Sequence, residues 1–362
     1  VIASRQDAEL ENLAIDDEGR TIALSWNLAG RNELELYDIA SGSRRRVEAL
    51  PSETVADLEF SPDGSKLVIS ASGAAEPRDL YVVDTAAARV VARLTTSPHA
   101  GVDLASLVRP ELVRYAAHDG LELTGWLYRS KVAGGPGPVV MSYHGGPEGQ
   151  ERPVFRGDYQ ALLSRGISVL APNVRGSSGF GKRFVNLDNG ALRVDAVRDI
   201  KSTIDWLVNS GIADPKKIGI MGGSYGGYMV MAGLTEYPTE IAAGANLFGV
   251  VNFATFFANS EPWMAAISTI EYGDPVTQAD MLRKLSPLTR IDRVVAPTLV
   301  LHGANDTNVP VIEAEQVVEN LRKRGVPVEY ILFPDEGHGW RKTTNRVRST
   351  VAIVDWFSKY LQ

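Results

Sequence analysis

Ile218-Gly219-Ile220-Met221-Gly222-Gly223-Ser224-Tyr225-Gly226-Gly227-Tyr228 is the stretch on which the fold turns. An apolar run enters a glycine-rich corner and leaves it into residues 226–236, which carry a helical pattern. A serine at such a strand-to-helix corner, with glycines two residues to either side, matches the G-x-S-x-G elbow. Glycine lets neighbouring backbone approach without a clashing Cβ, and the helix N-terminus offers free N–H groups to a developing negative charge. A bare G-x-S-x-G is weak alone; its strand, its helix and partners downstream make Ser224 the expected nucleophile.

The surrounding pattern repeats this alternation. Apolar runs at 138–143, 167–171, 218–221, 298–302 and 328–333 read as strands, and 192–210, 226–236, 311–324 and 345–361 as helices. Continuous apolar strands separated by amphipathic helices predict an α/β fold with a mostly parallel sheet covered on both faces. This unit is expected to span 106–362.

Residues 1–105 read differently, as all-β. Leu13-Ala14-Ile15-Asp16-Asp17-Glu18-Gly19-Arg20 is echoed by Leu58-Glu59-Phe60-Ser61-Pro62-Asp63-Gly64-Ser65, and strands closing on Asp38 and Asp84 follow in the same order. Leu13 to Leu58 is 45 residues and Asp38 to Asp84 is 46, within the period of propeller blades. Two blades are therefore expected. They cannot close a ring, so either the chain is a fragment whose missing N-terminal propeller part covers the open edges, or the edges meet another copy. The opening on Val1, close to repeat material, fits the first alternative.

A serine hydroxyl needs an oriented base. In this kind of fold the chain order is Ser, acid, His. His302 and His338 alone follow Ser224. His302 ends an apolar run and reads as a structural strand-end residue. His338, in Pro334-Asp335-Glu336-Gly337-His338-Gly339, lies in a loop after a strand and is the expected base. Asp306, in the loop after 298–302, is the expected acid that holds the imidazole tautomer. Asp335 and Glu336 are too close to His338 in sequence, and Asp274 and Asp280 read as turn or cap residues. One oxyanion donor is expected from the N–H of Tyr225, and the other from Gly145 or Gly146 in Tyr143-His144-Gly145-Gly146-Pro147. An aromatic-rich insertion after 250 is expected to wall an apolar substrate pocket with Phe253, Phe256, Phe257 and Trp263, joined by Tyr228 and Val309.

Taken together, His144-Gly145-Gly146-Pro147, Asn173-Val174-Arg175-Gly176-Ser177-Ser178-Gly179-Phe180-Gly181, the Ser224 elbow, Ser286-Pro287-Leu288-Thr289, His302-Gly303-Ala304-Asn305-Asp306 and Pro334 to Gly339 resemble the prolyl oligopeptidase family, nearest its acylaminoacyl-peptidase-like branch. The resemblance covers about 108–362. It implies an α/β-hydrolase fold after a β-propeller, a triad of Ser224, Asp306 and His338, and Tyr225 with Gly146 as oxyanion donors. It also implies hydrolysis of short peptides or acylated amino-terminal residues, with the propeller screening large substrates. The family often has Arg two residues after the acid. Here that position is Asn308, which weakens carbonyl binding in that reading.

Composition narrows the classes. The chain has 362 residues, no cysteine, five histidines and a net charge of −7. A cysteine nucleophile and thiolate metal sites are excluded, no metal or other cofactor is expected, and nucleic acid is a poor partner for a chain without a basic run. No apolar run reaches the roughly 18 residues of a membrane span, and a cytoplasmic location is the expectation. A serine peptidase favouring apolar side chains leads. A carboxylesterase with the same triad is the alternative, and a non-catalytic propeller scaffold is the reading from another class.

Overall fold

The computed structural model describes residues 2–132 and 134–362. The chain divides into two compact units, one built mainly of residues 1–110 and one of most of 111–362.

The first unit holds two four-stranded antiparallel sheets in simple meander order. One comprises β1 (Glu9–Ile15), β2 (Thr21–Leu28), β3 (Arg31–Asp38) and β4 (Arg44–Arg46); the other, β5 (Thr54–Phe60), β6 (Lys66–Ser72), β7 (Asp79–Asp84) and β8 (Arg89–Arg93). The repeated Asp-Gly and Glu-Gly turns fall between the first two strands of each sheet, where Gly19 and Gly64 take positive φ (67° and 70°). Alternation buries Leu34, Leu36, Leu67, Ile69 and Val83 in one shared core, so the two sheets pack face to face as successive blades do.

The second unit is built on an eight-stranded sheet: β9 (Glu111–Ala116), β10 (Glu122–Tyr128), β11 (Gly137–Tyr143), β12 (Ser168–Asn173), β13 (Ala213–Gly223), β14 (Ala243–Leu247), β15 (Thr298–Gly303) and β16 (Val328–Phe333), in the spatial order β16-β15-β14-β13-β11-β12-β10-β9. Every pairing from β12 through β11 to β16 is parallel, and β9 and β10 add an antiparallel edge. The helices are α1 (Gly157–Ser164), α2 (Lys182–Val185), α3 (Arg193–Asn209), α4 (Tyr225–Glu236), α5 (Phe253–Asn259), α6 (Pro262–Tyr272), α7 (Ala279–Leu285), α8 (Ile312–Lys323) and α9 (Thr343–Leu361).

The five strands and four helices expected from periodicity are present within a few residues. Strands β9, β10 and β14 were not expected. In β14, Ala243-Gly244-Ala245-Asn246-Leu247 is short and of weak strand propensity, and it becomes a strand because β13 and β15 pair with both its edges. No helix among the described residues is long and apolar enough to cross a membrane.

Candidate active site

The loops that follow β11, β13, β15 and β16 leave the C-terminal end of the parallel sheet, where this fold collects its chemistry. Ser224 sits between β13 and α4 with φ 57° and ψ −120°, a strained conformation for a residue with a side chain. Two close contacts hold it there. Its N–H donates to Leu247 O at the end of β14 (3.0 Å). A Cβ on Gly226 would lie 2.0 Å from Tyr143 O, so only glycine lets α4 start flush against the end of β11. Tyr225 is the first residue of α4, and its N–H therefore has no carbonyl partner in the helix.

The loop after β11 reaches the same point. A Cβ built on Gly145 would lie 3.3 Å from Ser224 Cβ. Gly146 has φ 128°, and a Cβ there would lie 2.4 Å from Gly149 N. His144 is held locally, with Nδ1 2.8 Å from Gly145 O and Nε2 2.8 Å from Ser177 Oγ. Burial pushes its imidazole pKa down, which favours the neutral ring.

Asp306 and His338 meet across the β15 and β16 loops, Nδ1 to Oδ2, at 2.8 Å. The Asp306 side chain is fully buried. Its Oδ1 accepts the N–H groups of Asn308 and Val309 (both 2.9 Å). Burial alone would raise its pKa; hydrogen bonds from His302, His338 and the Val309 N–H outweigh that and hold it far below the usual carboxylate range. His302 thus does more than end a strand. Its Nε2 lies 2.9 Å from Val309 O and 3.4 Å from Asp306 Oδ2.

The rival acids have other work. Glu336 accepts the N–H groups of Arg341 (3.0 Å) and Lys342 (2.9 Å), which ties the His338 loop to the start of α9. Asp335 accepts from Lys342 and Asn345. Asp274 caps its own turn through Val276 N and Thr277 N, and Asp280 pairs with Arg283.

Among the described residues no hydrogen bond joins Ser224 to His338. Such contacts are often open in a free enzyme and tighten in a complex. What stands beside His338 and Gly223 is Phe248, a residue that no motif marked. Its ring centroid is 4.8 Å from that of His338, and a Cβ on Gly223 would touch it at 2.9 Å. Phe248 has φ 42°, imposed where β14 ends and its N–H bonds Leu301 O (2.8 Å).

The sequence profile of the prolyl oligopeptidase family matches residues 153–362. The chain belongs to the prolyl oligopeptidase family. It is 32% identical over 341 residues to dipeptidyl aminopeptidase BIII of Pseudoxanthomonas mexicana, covering 90% of this chain and 49% of that one. It is 30% identical over 239 residues to the acylamino-acid-releasing enzyme of Arabidopsis thaliana, covering 64% and 31%. Among solved structures, a puromycin-hydrolyzing peptidase of Mycobacterium tuberculosis superposes with a TM-score of 0.90 at 26% identity, covering 99% of this chain and 56% of that one. The acylaminoacyl peptidase of Pyrococcus horikoshii does so with 0.84 at 25%, covering 98% and 56%. The fold is therefore an α/β-hydrolase domain preceded by propeller-type sheets. The chain spans about half the length of the curated relatives it matches.

In this member of the prolyl oligopeptidase family a cavity of about 740 Å³ opens beside Ser224. Phe256 and Val309 line it as expected, with Val250, Met264, Ile267 and Ile270. The other four expected pocket residues do not. Tyr228 and Phe253 are buried in the core, ring to ring at 5.6 Å, and the Tyr228 hydroxyl donates to Leu285 O (3.1 Å). Phe257 packs against the core beside Phe256. Trp263 is 53% exposed. Trp263 stands in the first turn of α6, on the same side as Ile267 and Ile270 but outside the lining, to which α6 contributes Met264, Ile267, Ser268, Ile270, Glu271 and Tyr272. Two carboxylates in the lining, Glu148 and Glu271, were not expected. Buried Glu313 of α8 holds the wall in place, accepting Val251 N and Asn252 N (both 2.8 Å) where α5 begins.

Proposed function

We propose that this chain carries the catalytic part of a serine peptidase that hydrolyses short peptides or acylated amino-terminal residues through an acyl-enzyme. The observation that carries this reading is the contact of His338 with the fully buried Asp306, set at the same sheet edge as a serine held at positive φ. In this reading Ser224 attacks the carbonyl carbon and His338 takes its proton. Asp306, with no lone pair left to spare, fixes the Nδ1–H tautomer so that Nε2 faces the reaction, and stabilises the imidazolium. Tyr225 N–H and the Gly146 backbone receive the developing oxyanion. His338 then gives its proton to the leaving amine, and water repeats the sequence to release the acid. The largely aliphatic cavity wall favours apolar side chains beside the scissile bond. A short peptide is the proposed partner.

The test compares an N-acetyl-amino-acid p-nitroanilide with the free-amine anilide and a short-chain p-nitrophenyl ester, for this chain and Ser224→Ala. Anilide cleavage that falls by about 10⁴–10⁶ in kcat in the variant is the expected outcome. Ester cleavage alone would favour the carboxylesterase reading, and activity that survives Ser224→Ala would remove Ser224 from the mechanism.

A further inference from the structure

Beneath the elbow lies a buried charged cluster for which the reaction above has no use. Arg193, the first residue of α3, has no exposed side-chain surface. Its Nη1 donates to Asp188 Oδ2 (2.9 Å) and its Nη2 to Glu271 Oε1. The guanidinium carbon lies 4.9 Å from the ring centroid of Tyr225 and 4.6 Å from that of Tyr272, so two aromatic rings flank the cation. The Tyr225 hydroxyl donates to the same Asp188 oxygen (3.2 Å), and the Tyr272 hydroxyl makes a long contact with Gly146 O (3.5 Å).

Tyr225, Glu271 and Tyr272 each belong to a working part of the site. Tyr225 is the residue after Ser224, and its own N–H is one proposed oxyanion donor. Gly146 is the other. Glu271 and Tyr272 end α6 and line the substrate cavity. A buried ion cluster is a poor source of stability compared with apolar packing of similar volume, whereas its directional bonds define geometry. We propose that Arg193 is a positioning residue that locks Tyr225 and the Gly146 loop in the orientation the oxyanion needs, while bracing the α6 wall. This rests on the reading of Tyr225 and Gly146 as oxyanion donors. Tyr225 cannot turn its N–H away without pulling its ring off the guanidinium and its hydroxyl off Asp188.

The experiment uses Arg193→Lys, Tyr225→Phe and Tyr272→Phe, beside wild type and Ser224→Ala. Four quantities are read: kcat and KM on the p-nitroanilide per titrated active site, inhibition by a peptide aldehyde whose hemiacetal oxygen occupies the oxyanion position, inhibition by the corresponding peptide acid, and thermal unfolding. Arg193→Lys keeps the charge but loses the planar fork and the two-ring stack. It is expected to lower kcat about a hundredfold, comparable to the loss of one oxyanion donor. Aldehyde affinity should fall in proportion, while KM and acid affinity stay within about twofold. The two Phe variants keep their rings and lose one hydroxyl each, and about three- to tenfold in kcat is expected, again tracked by the aldehyde. A purely structural role would lower the unfolding temperature and leave kcat per titrated site and the aldehyde-to-acid ratio unmoved, which would overturn the proposal. Should Arg193→Lys fail to fold, the Phe variants decide, and changes below twofold in both would overturn it. Undiminished hydrolysis by Ser224→Ala would sink the underlying reading and this inference with it. Ser224-dependent hydrolysis with unmoved variants sinks the inference alone.

Discussion

Asp188 and Asp306 are two of the three aspartates whose side chains are fully buried among the described residues of the hydrolase unit, and their pKa values move in opposite directions. Asp306 receives four donors: Asn308 N and Val309 N on one oxygen, His338 Nδ1 and the longer His302 contact on the other. Its pKa is held far down. Asp188 receives two, from Arg193 and Tyr225, both on Oδ2, and its Oδ1 has no hydrogen-bond partner among the described residues. Burial pushes Asp188 up to about 7, with Arg193 only partly offsetting it. Burial alone therefore does not set the charge of a carboxylate. Nor does the number of donors by itself: Asp199 accepts three bonds from Arg175 and its pKa is still raised, whereas in Asp306 the hydrogen bonds and the nearby imidazole outweigh burial.

The contrast can be broken at its strongest point by Asp306→Asn. An amide offers its NH₂ where the carboxylate accepted a proton donor, so His338 takes the wrong tautomer. Steady-state kinetics should show kcat lower by about 10⁴. The matching Asp188→Asn should cost no more than about tenfold in kcat, because Asp188 reaches the oxyanion donor only through the Tyr225 ring and hydroxyl. Equal losses in the two variants would erase the distinction.

A smaller effect comes from His302→Phe, which fills the space without the Nε2 donor. Asp306 then loses one of its four donors, and kcat should fall about ten- to a hundredfold, the range for a hydrogen bond to a charged group. A kcat within twofold of wild type would return His302 to a purely structural role.

A separate effect concerns stability against pH. An Asp188 carboxyl raised to about 7 binds a proton more readily in the folded chain than in the unfolded one. Its contribution is thus full below about pH 4 and is lost as pH rises towards 8, by at most about 4 kcal/mol. For Asp306 the sign is opposite: a depressed pKa stabilises the fold above about pH 4 and is lost on further acidification. Denaturant unfolding at a series of pH values should show Asp188→Asn gaining on wild type between pH 4 and 8, and wild type losing its advantage over Asp306→Asn as pH falls below 4. Parallel curves for either variant would contradict the corresponding assignment.

Much of the site could be read in advance because it is written in short local signals. The Ser224 corner needs small residues on both sides, and Gly222 and Gly226 announce it. The Asp306–His338 contact follows from chain order, since each residue ends a strand of one parallel sheet and the sheet brings the strand ends together. The blade pair was legible as a recurring turn, strand and terminal Asp. Less could be read where contacts far apart in sequence decide. Of the aromatic residues expected at the pocket, Phe256 lines the cavity and Tyr228, Phe253, Phe257 and Trp263 do not. Phe248 escaped notice because β14, which aims it at His338, has little strand character of its own.

The sequence by itself determined the α/β alternation, the two blade repeats, the corner that exposes Ser224 and the order of the residues proposed to act with it. Those depend on backbone preferences and periodicities that operate within ten or twenty residues. Only the tertiary structure decided which side chains face the cavity, that His302 adds a donor to Asp306, and that Arg193 joins Asp188, Glu271, Tyr225 and Tyr272. These are contacts between residues far apart in the chain, as Arg193 and Tyr272 are, 79 positions from each other. Their energies depend on the water excluded when the sheet and helices close over them, a condition that no local stretch of sequence contains.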